Sequence, residues 1–342
     1  MKSETPLISV IIPVRNRTEC LLECLRGLFQ QSVSSDLQVI IIDDASTQNG
    51  PHELANTYHI EYYRNDKRYG SGYSKNVGLR YAKGENILFL DSDINFFSNT
   101  TLETELNALY SLPNCGEVGG EALLDQNNIP KFIFGRNIDL RTGKSSCNYV
   151  CINTGSHSKN FWEFDYIPTS NCLLRRETVI KVRGFDDAYN CLGEDKDFGY
   201  RVKKINFKNY VLRDSVIFHK FSKDGRNSKG LKKQYRTQIR FYLRHFGYAE
   251  TLKMVLHFSK ILISDRIKPI QSNNPTDPDL GKFEQYYRSE ILGFSSTGPS
   301  TLPKRLKDGA NCISEFWSAY FWNIGHRKGL KIEGSCWFDK LC

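Results

Sequence analysis

Four groups of residues in this chain carry side chains suited to chemistry. The apolar run Ile87-Leu88-Phe89-Leu90 stops on Asp91-Ser92-Asp93. Two carboxylates one residue apart, at the end of what reads as a buried strand, form an anchor for a hard divalent cation. Such a cation keeps open positions that a diphosphate can fill. Upstream, Gln38-Val39-Ile40-Ile41-Ile42 ends on Asp43-Asp44, where a carboxylate can accept from a base imide or a ribose hydroxyl. Downstream, Gly193-Glu194-Asp195-Lys196-Asp197 opens a helical pattern with acids, and Ser215-Val216-Ile217-Phe218-His219 is a strand-like run ending on a candidate metal ligand. Singly, each group has a plainer reading. D-x-D recurs by chance, Asp43-Asp44 suits a helix cap, Glu194 and Asp195 suit a helix N-terminus through its dipole, and His219 suits a buried, hydrogen-bonded histidine. Their order, and their shared position at strand ends and loops, favours one joint site.

The elements that must position these groups alternate between short apolar runs and helical patterns from Ile8 to about Lys220, as in an α/β domain with a largely parallel sheet. Ile8-Ser9-Val10-Ile11-Ile12 is a β-branched strand halted by Pro13. Thr18 is placed to cap a helix carrying Leu21, Leu22, Leu25, Leu28 and Phe29 at helical spacing. Ile60 to Tyr63 reads as a third strand, Ser74 to Lys83 as a helix stopped by Gly84, and Asn86 to Leu90 as the strand that delivers Asp91. From Glu117 to Phe164, Gly119-Gly120, Gly135 and Gly143 among mixed polar residues suggest loops and edge strands, a common place for acceptor contacts. Asn171 to Leu174 is a short strand, and Arg176 opens a helix. In open α/β sheets ligands collect outside the carboxyl ends of the strands. No G-x-G-x-x-G follows the first strand and no Walker lysine motif is present, so neither dinucleotide nor P-loop ATP binding is supported.

The chain has 342 residues, 39% of them hydrophobic and 25% charged, a balance that argues against wholesale disorder. No run approaches 18 apolar residues, so no transmembrane helix is expected, and the start Met1-Lys2-Ser3-Glu4-Thr5-Pro6 does not read as a signal peptide. Ten cysteines include no C-x-x-C pair, which argues against a zinc site and suits reduced thiols in the cytoplasm. The net charge of +9 is uneven: Arg201 to Arg244 holds fourteen Lys/Arg against Asp214 and Asp224. That stripe suits a phosphate-rich partner or an anionic membrane surface, and equally a solvated basic face. Ser228 to Ile263 is helical and basic, with Tyr235, Ile239, Tyr242, Leu243 and Phe246 as one stripe. Residues 271–278 read as a linker, and the last sixty residues as an aromatic and basic accessory segment.

Taken together, Ser9-Val10-Ile11-Ile12-Pro13-Val14-Arg15-Asn16, Ile42-Asp43-Asp44-Ala45-Ser46, Lys75-Asn76-Val77-Gly78-Leu79, Leu90-Asp91-Ser92-Asp93 and Arg183-Gly184-Phe185-Asp186-Asp187-Ala188-Tyr189 before Gly193-Glu194-Asp195 resemble a family 2 glycosyltransferase of the GT-A fold. The likeness covers roughly residues 7–221. The last stretch also resembles the G-F-D-E-x-Y and G-G-E-D segments of galactosyltransferase and polypeptide N-acetylgalactosaminyltransferase domains. The resemblance implies a Rossmann-like α/β fold with a mostly parallel central sheet flanked by helices, a catalytic domain over residues 1–230 and a mainly helical C-terminal extension over 231–342. It implies that Pro13, Arg15 and Asp44 line the nucleotide pocket, with Asp44 near the base. Lys75 takes the place of a frequent arginine, keeping the charge without the bidentate geometry. Asp93 would be the principal ligand of a Mn2+ or Mg2+ ion, with His219 completing the metal site. By the same resemblance Asp91 would lie nearer the ribose or a metal-bound water, and Ser92 would go with the nucleotide-binding residues. Asp195 would be the catalytic base, with Glu194 orienting the acceptor or sharing that task. Arg183 stands where relatives often have glycine, and Cys191-Leu192 replace an aromatic and a glycine, so acceptor identity does not carry over.

The expected activity is inverting, metal-dependent transfer of a sugar from a nucleotide diphosphate donor, UDP-linked by preference, to a hydroxyl of a glycan, lipid-linked or other glycoconjugate acceptor. A bacterial surface polysaccharide is the favoured product. Inversion needs one base for the acceptor hydroxyl and one device for the leaving diphosphate. Arg226, Lys229 and Lys232 are candidates for a lid over that diphosphate. The protein is expected in the cytoplasm, with the inner membrane face as a site of peripheral contact through Tyr235, Arg240, Tyr242, Arg244, Phe246, Lys253 and Lys260. Packing of that stripe on the protein is the favoured alternative, and no nucleic-acid partner is expected. Two competing readings are a sugar-nucleotide nucleotidyltransferase, which should carry a glycine-rich loop after its first strand, and a non-catalytic nucleotide-sugar or glycan-binding module, which has no need of a base.

Overall fold

Seven β-rich residues, Ile8–Val14, form β1, the strand around which the sheet is laid out. It is followed in chain order by α1 (Thr18–Phe29), β2 (Leu37–Asp43), α2 (Gly50–Thr57), β3 (Glu61–Arg64), α3 (Ser71–Leu79), β4 (Asn86–Leu90), β5 (Ile94–Phe96), α4 (Thr101–Ser111) and β6 (Cys115–Gly119). Then come β7 (Ala122–Leu124), β8 (Pro130–Asp139), β9 (Lys144–Cys151), β10 (Phe161–Phe164), β11 (Asn171–Arg175), α5 (Arg176–Val182), α6 (Glu194–Lys204), β12 (Lys208–Leu212), β13 (Ile217–His219) and α7 (Leu231–Ile267). These come from a computed structural model that describes residues 6–124, 130–141, 144–151, 159–189, 192–220, 231–267, 314 and 317–324.

An eight-stranded sheet runs β10-β12-β6-β11-β4-β1-β2-β3. β1 pairs in parallel with β2 and β4, β2 with β3, and β12 with β6, while β11 and β10 run antiparallel to their neighbours. Side chains alternate across its faces, as the two-residue period of a strand requires. Ile8, Val10, Ile12 and Val14 join Leu88, Leu90 and the α1 residues Leu21, Leu25 and Leu28 in one core. Ile11, Ile87 and Phe89 join Val179, Val182, Phe198 and Val202 of α5 and α6 in the other. Both faces are covered, which is why β1, β2 and β4 read as nearly unbroken apolar runs. This is the mixed α/β architecture expected, with helices on both sides of a mostly parallel sheet.

Three expectations need correction. Thr18 is the first residue of α1 rather than its cap; Arg17 holds the cap position in the left-handed region (φ 57°), and no side chain caps the helix. The helix expected over 74–83 begins earlier, at Ser71, where Asp44 fixes the amides just before it, and ends at Leu79. Cys115 to Gly119 is no loop or edge strand: β6 is buried at every residue inside the large sheet. Its buried Glu117 disguises it as polar.

A second, five-stranded sheet runs β5-β13-β7-β8-β9. Antiparallel pairing sets His219 opposite Ile94, and parallel pairing sets Phe218 opposite Ala122. One short strand therefore lies between the residue after Asp93 and the residue after Glu121.

Two compact units divide the described residues. One takes those within 1–138 and 145–225 and holds the strands above. The other takes those within 139–144 and 226–331 and holds α7, which joins two helical stretches across Gly247 (φ 80°). In this second unit Ile239, Arg240, Tyr242 and Leu243 are buried. Arg240 and Tyr242 are therefore not on the solvent face that an interfacial helix would need. Residues 317–324 are also helical, with Arg236 stacked over the Trp322 ring at 4.5 Å. The linker read over 271–278, Arg226 and Lys229 lie outside the described residues, as does the side chain of Lys232.

Candidate active site

β4 ends at Leu90, and the backbone leaves the sheet with Asp91 N–H donating to Ser170 O at 2.9 Å. Asp91, Asp93 and His219 then converge, with ligand atoms all within 4.8 Å of one another. His219 Nε2 lies 3.2 Å from Asp93 Oδ1 and 3.8 Å from Asp91 Oδ2. Two adjacent ligand atoms on an octahedral ion with bonds of about 2.1 Å are separated by about 3 Å, so the Asp93 and His219 atoms fit one such ion. Lys220 N–H donates to Asp93 O at 3.0 Å and ties the end of β13 to the aspartate loop. Ser92 is buried between the two aspartates.

The other imidazole nitrogen of His219, Nδ1, lies 3.0 Å from Glu121 Oε1. Glu121 also accepts from Ser170 Oγ at 3.0 Å. Burial alone would push the His219 pKa down, but Glu121 and Asp93 outweigh it and raise the pKa to about 10. A carboxylate behind a ligating histidine fixes its orientation and raises its basicity.

Lys75, on α3, is almost wholly buried. Its Nζ lies 3.7 Å from Asp91 Oδ1 and donates to Thr169 O at 3.2 Å and Thr169 Oγ1 at 2.5 Å. Thr169 Oγ1 in turn donates to Asp195 Oδ1. Burial works against the Lys75 charge, but Asp91, Asp195 and Glu194 raise its pKa above the ordinary value. Asp195 sits in the first turn of α6 beside Glu194. Burial raises both carboxyl pKa values, and mutual repulsion raises that of Glu194 further; Lys75 and the Thr169 hydroxyl oppose the rise at Asp195.

The Asp43-Asp44 pair is divided. Asp43 is fully buried and accepts from Tyr62 Oη at 2.6 Å, Arg64 Nη1 at 3.0 Å and Ser46 N at 2.7 Å, so it serves the fold rather than a base or ribose. Asp44 accepts from Tyr69 N and Gly70 N, both at 2.8 Å, and from Asn65 Nδ2 at 2.9 Å. Its carboxylate thus holds the loop that leads into α3. Pro13 does not halt β1 as expected: the strand pairs with β2 through Pro13 to Val14, and Arg15 follows it, with Nε buried and making no hydrogen bond among the described residues. The structure therefore brings Asp91, Asp93, His219, Lys75 and Asp195 into one connected set, while Asp44 and Arg15 flank it on neighbouring loops. A depression of about 450 Å3 beside the β2 loop, lined by Thr47, His52 and Arg64 among others, includes none of these residues.

Sequence reasoning missed Glu121, Thr169 and Arg17, whose Nη1 lies 3.1 Å from Asp93 Oδ2. Glu121 had one visible signal, an acid directly after Gly119-Gly120. Thr169 and Arg17 had none.

A mostly parallel α/β sheet, with an Asp-x-Asp group able to hold a metal ion beyond a central strand, is the pattern of a GT-A transferase. The profile of glycosyl transferase family 2 matches residues 9–178. An uncharacterized glycosyltransferase of Haemophilus influenzae is 30% identical over 200 residues, covering 56% of this chain and 74% of the relative. A second one from the same organism is 35% identical over 108 residues, covering 32% of this chain and 36% of the relative, so the chain spans about a third of that protein's length. Among solved structures, GalNAc-T7 with UDP, GalNAc and Mn2+ aligns with a TM-score of 0.58 at 14% identity, covering 85% of this chain and 57% of that one. The mannosyltransferase PcManGT from Pyrobaculum calidifontis, with GDP-Man and Mn2+, aligns with a TM-score of 0.52 at 15% identity, covering 94% and 88%. At such identities the likeness speaks for the fold. The chain belongs to the family 2 glycosyltransferases and is a transferase enzyme.

Proposed function

We propose that this enzyme transfers a sugar, with inversion, from a nucleotide diphosphate donor to a hydroxyl of a glycan, lipid-linked or other glycoconjugate acceptor. The reading rests on one observation: Asp195 is connected through Thr169 and Lys75 to the Asp91-Asp93-His219 group. A carboxylate with a raised pKa, held by a hydroxyl donor, suits the role of general base. The acceptor hydroxyl gives its proton to Asp195 as its oxygen bonds to the anomeric carbon. The bond from that carbon to the diphosphate oxygen breaks, and its electron pair leaves with the nucleoside diphosphate. Glu194 orients the acceptor beside Asp195.

Asp93, His219 and Asp91 would hold a Mn2+ or Mg2+ ion, which supplies Lewis-acid stabilisation of the departing diphosphate when bound. Pro13, Arg15 and Ser92 line the nucleotide pocket, and Asp44 shapes it through the loop it holds. UDP is the favoured nucleotide, since it is the one named with the structural neighbour of higher TM-score. In this reading residues 1–230 are the catalytic domain and 231–342 an accessory segment. The enzyme works on the cytoplasmic side, meeting the membrane peripherally where its acceptor is lipid-linked. Among the described residues no helix is long and apolar enough to cross a membrane.

A screen of UDP- and GDP-sugars by nucleotide release, with Mn2+ or Mg2+, tests the reading. Asp93→Ala should abolish metal-dependent turnover. Asp195→Asn should lower kcat by about 10^2–10^4-fold while nucleotide binding persists. Full turnover by Asp195→Asn would move the base elsewhere.

A further inference from the structure

Behind the contacts that hold His219 lies a second set, centred on Glu105 of α4. Its Oε1 accepts from Asn171 Nδ2 at 2.6 Å and from Ser215 Oγ. Asn171 Nδ2 also donates to Gly120 O at 3.3 Å. The backbone of Gly120 in turn lies so close to Ser215 that a Cβ on the glycine would stand 2.0 Å from Ser215 O. Each of these residues is a near neighbour in sequence of one that holds or carries the imidazole. Asn171 follows Ser170, Gly120 precedes Glu121, and Ser215 stands two residues before β13, which ends on His219. Ser170, Glu121 and His219 are joined to one another by two contacts of 3.0 Å. The second set therefore lies directly behind the first.

Glu105 and Ser215 are fully buried, and Asn171 nearly so. The other carboxyl oxygen of Glu105, Oε2, is also buried and makes no hydrogen bond among the described residues. A buried polar atom without a partner is costly, and an apolar side chain would fill the same space without that cost. What Oε1 adds is one acceptor atom on which a donor from β11 and a donor from the loop before β13 both converge.

We propose that Glu105 is a positioning residue for His219: by accepting from Ser215 and Asn171 at one oxygen, it fixes β13 against the Ser170–Glu121 pair and so places the imidazole nitrogen that faces Asp93. Its consequence for cation binding rests on the metal-dependent reading above. The placement itself does not, and is open to measurement without a metal.

The first readout is the ring 15N resonances of His219 in the metal-free full chain, assigned by their loss in His219→Gln. Glu105→Leu removes the shared acceptor and should shift them, while those of the distant His52 stay in place. Glu105→Gln keeps an oxygen that can accept both hydrogen bonds, so it should leave the His219 resonances unmoved. Burial raises the Glu105 pKa to about 7, so at about pH 6 the neutral amide closely matches the neutral acid. The second readout is Mn2+ titration, followed by loss of the free-ion electron paramagnetic resonance signal. Glu105→Leu should bind Mn2+ about tenfold more weakly, and Glu105→Gln should restore the wild-type affinity. If Glu105→Leu loses its fold by circular dichroism, Ser215→Ala, which removes one of the two donors, should shift the same resonances. His219 resonances unmoved in the folded variant, or moved equally by leucine and glutamine at position 105, overturn the proposal. Absence of Mn2+ binding by the wild type overturns the metal reading alone, since the resonances still decide the placement.

Discussion

At the scale of single residues, the chemistry depends on side chains that stand behind the obvious ones. Glu121 holds the far nitrogen of His219, so Glu121→Gln should weaken Mn2+ binding about 10–100-fold, measured by calorimetry, while the nucleotide loop at Asp44 is untouched. Thr169 plays a like part for Asp195. Its hydroxyl favours the ionised carboxylate, against burial that raises the pKa. Activity therefore falls as pH drops through a value above the ordinary aspartate range, where the base takes up its proton. Thr169→Val removes a donor to the charged form, so it should move the acid limb of the kcat/KM profile to higher pH and lower its plateau. A limb left in place would assign the titration to another group. Asp91, Asp93 and His219 could be singled out in the chain because each stands where an apolar run breaks off, and Asp195 because it opens a helical pattern with acids. Glu121 and Thr169 could not be weighted in that way: their partners lie 98 and 26 residues off, and only the tertiary fold brings them together, through the β13–β7 pairing for Glu121 and the placement of α6 for Thr169.

At the scale of elements, the sequence shows best what is apolar throughout. β1, β2 and β4 were legible because both of their faces are covered, and the crevice beyond their carboxyl ends followed from that. β6 was not, since Glu117 and three small residues hide a strand that is buried along its whole length. Gly119 and Gly120 looked like loop residues for the same reason, yet they permit close backbone approach. A Cβ on Gly120 would stand 2.0 Å from Ser215 O, and one on Gly119 2.1 Å from Asn171 O. Backbone at such distances cannot yield as a side-chain tip can. Gly120→Ala should destabilise the protein by about 1–3 kcal/mol or more in a denaturant melt. It should also weaken Mn2+ binding, because Ser215 leads into β13 and so into His219. The start of α3 was misjudged through a polar contact distant in sequence, the grip of Asp44 on Tyr69 and Gly70, which no local propensity records.

At the scale of the whole molecule, several acids are folded into places that favour their neutral form. Burial raises Glu105 to about 7, despite hydrogen bonds from Ser215 and Asn171, and carries Glu117 well above its ordinary value. A carboxyl whose pKa is raised on folding supports the fold at low pH. For Glu105 that support is complete below about 4.5 and is lost as pH rises through about 7, a difference of roughly 3 kcal/mol. Glu105→Gln should flatten the dependence of the melting temperature on pH across that window; an unchanged slope would place the burden on other groups. The pairing of β13 with β5 has a further consequence, which concerns time. His219 follows Asp93 by 126 residues, and at about 5–20 residues per second a ribosome needs roughly 6–25 s to make that stretch. During that interval the nascent chain carries both aspartates without the imidazole that joins them. The Asp91-Asp93-His219 group is thus assembled only after every other described strand has been made, since β13 is the last of them in the chain.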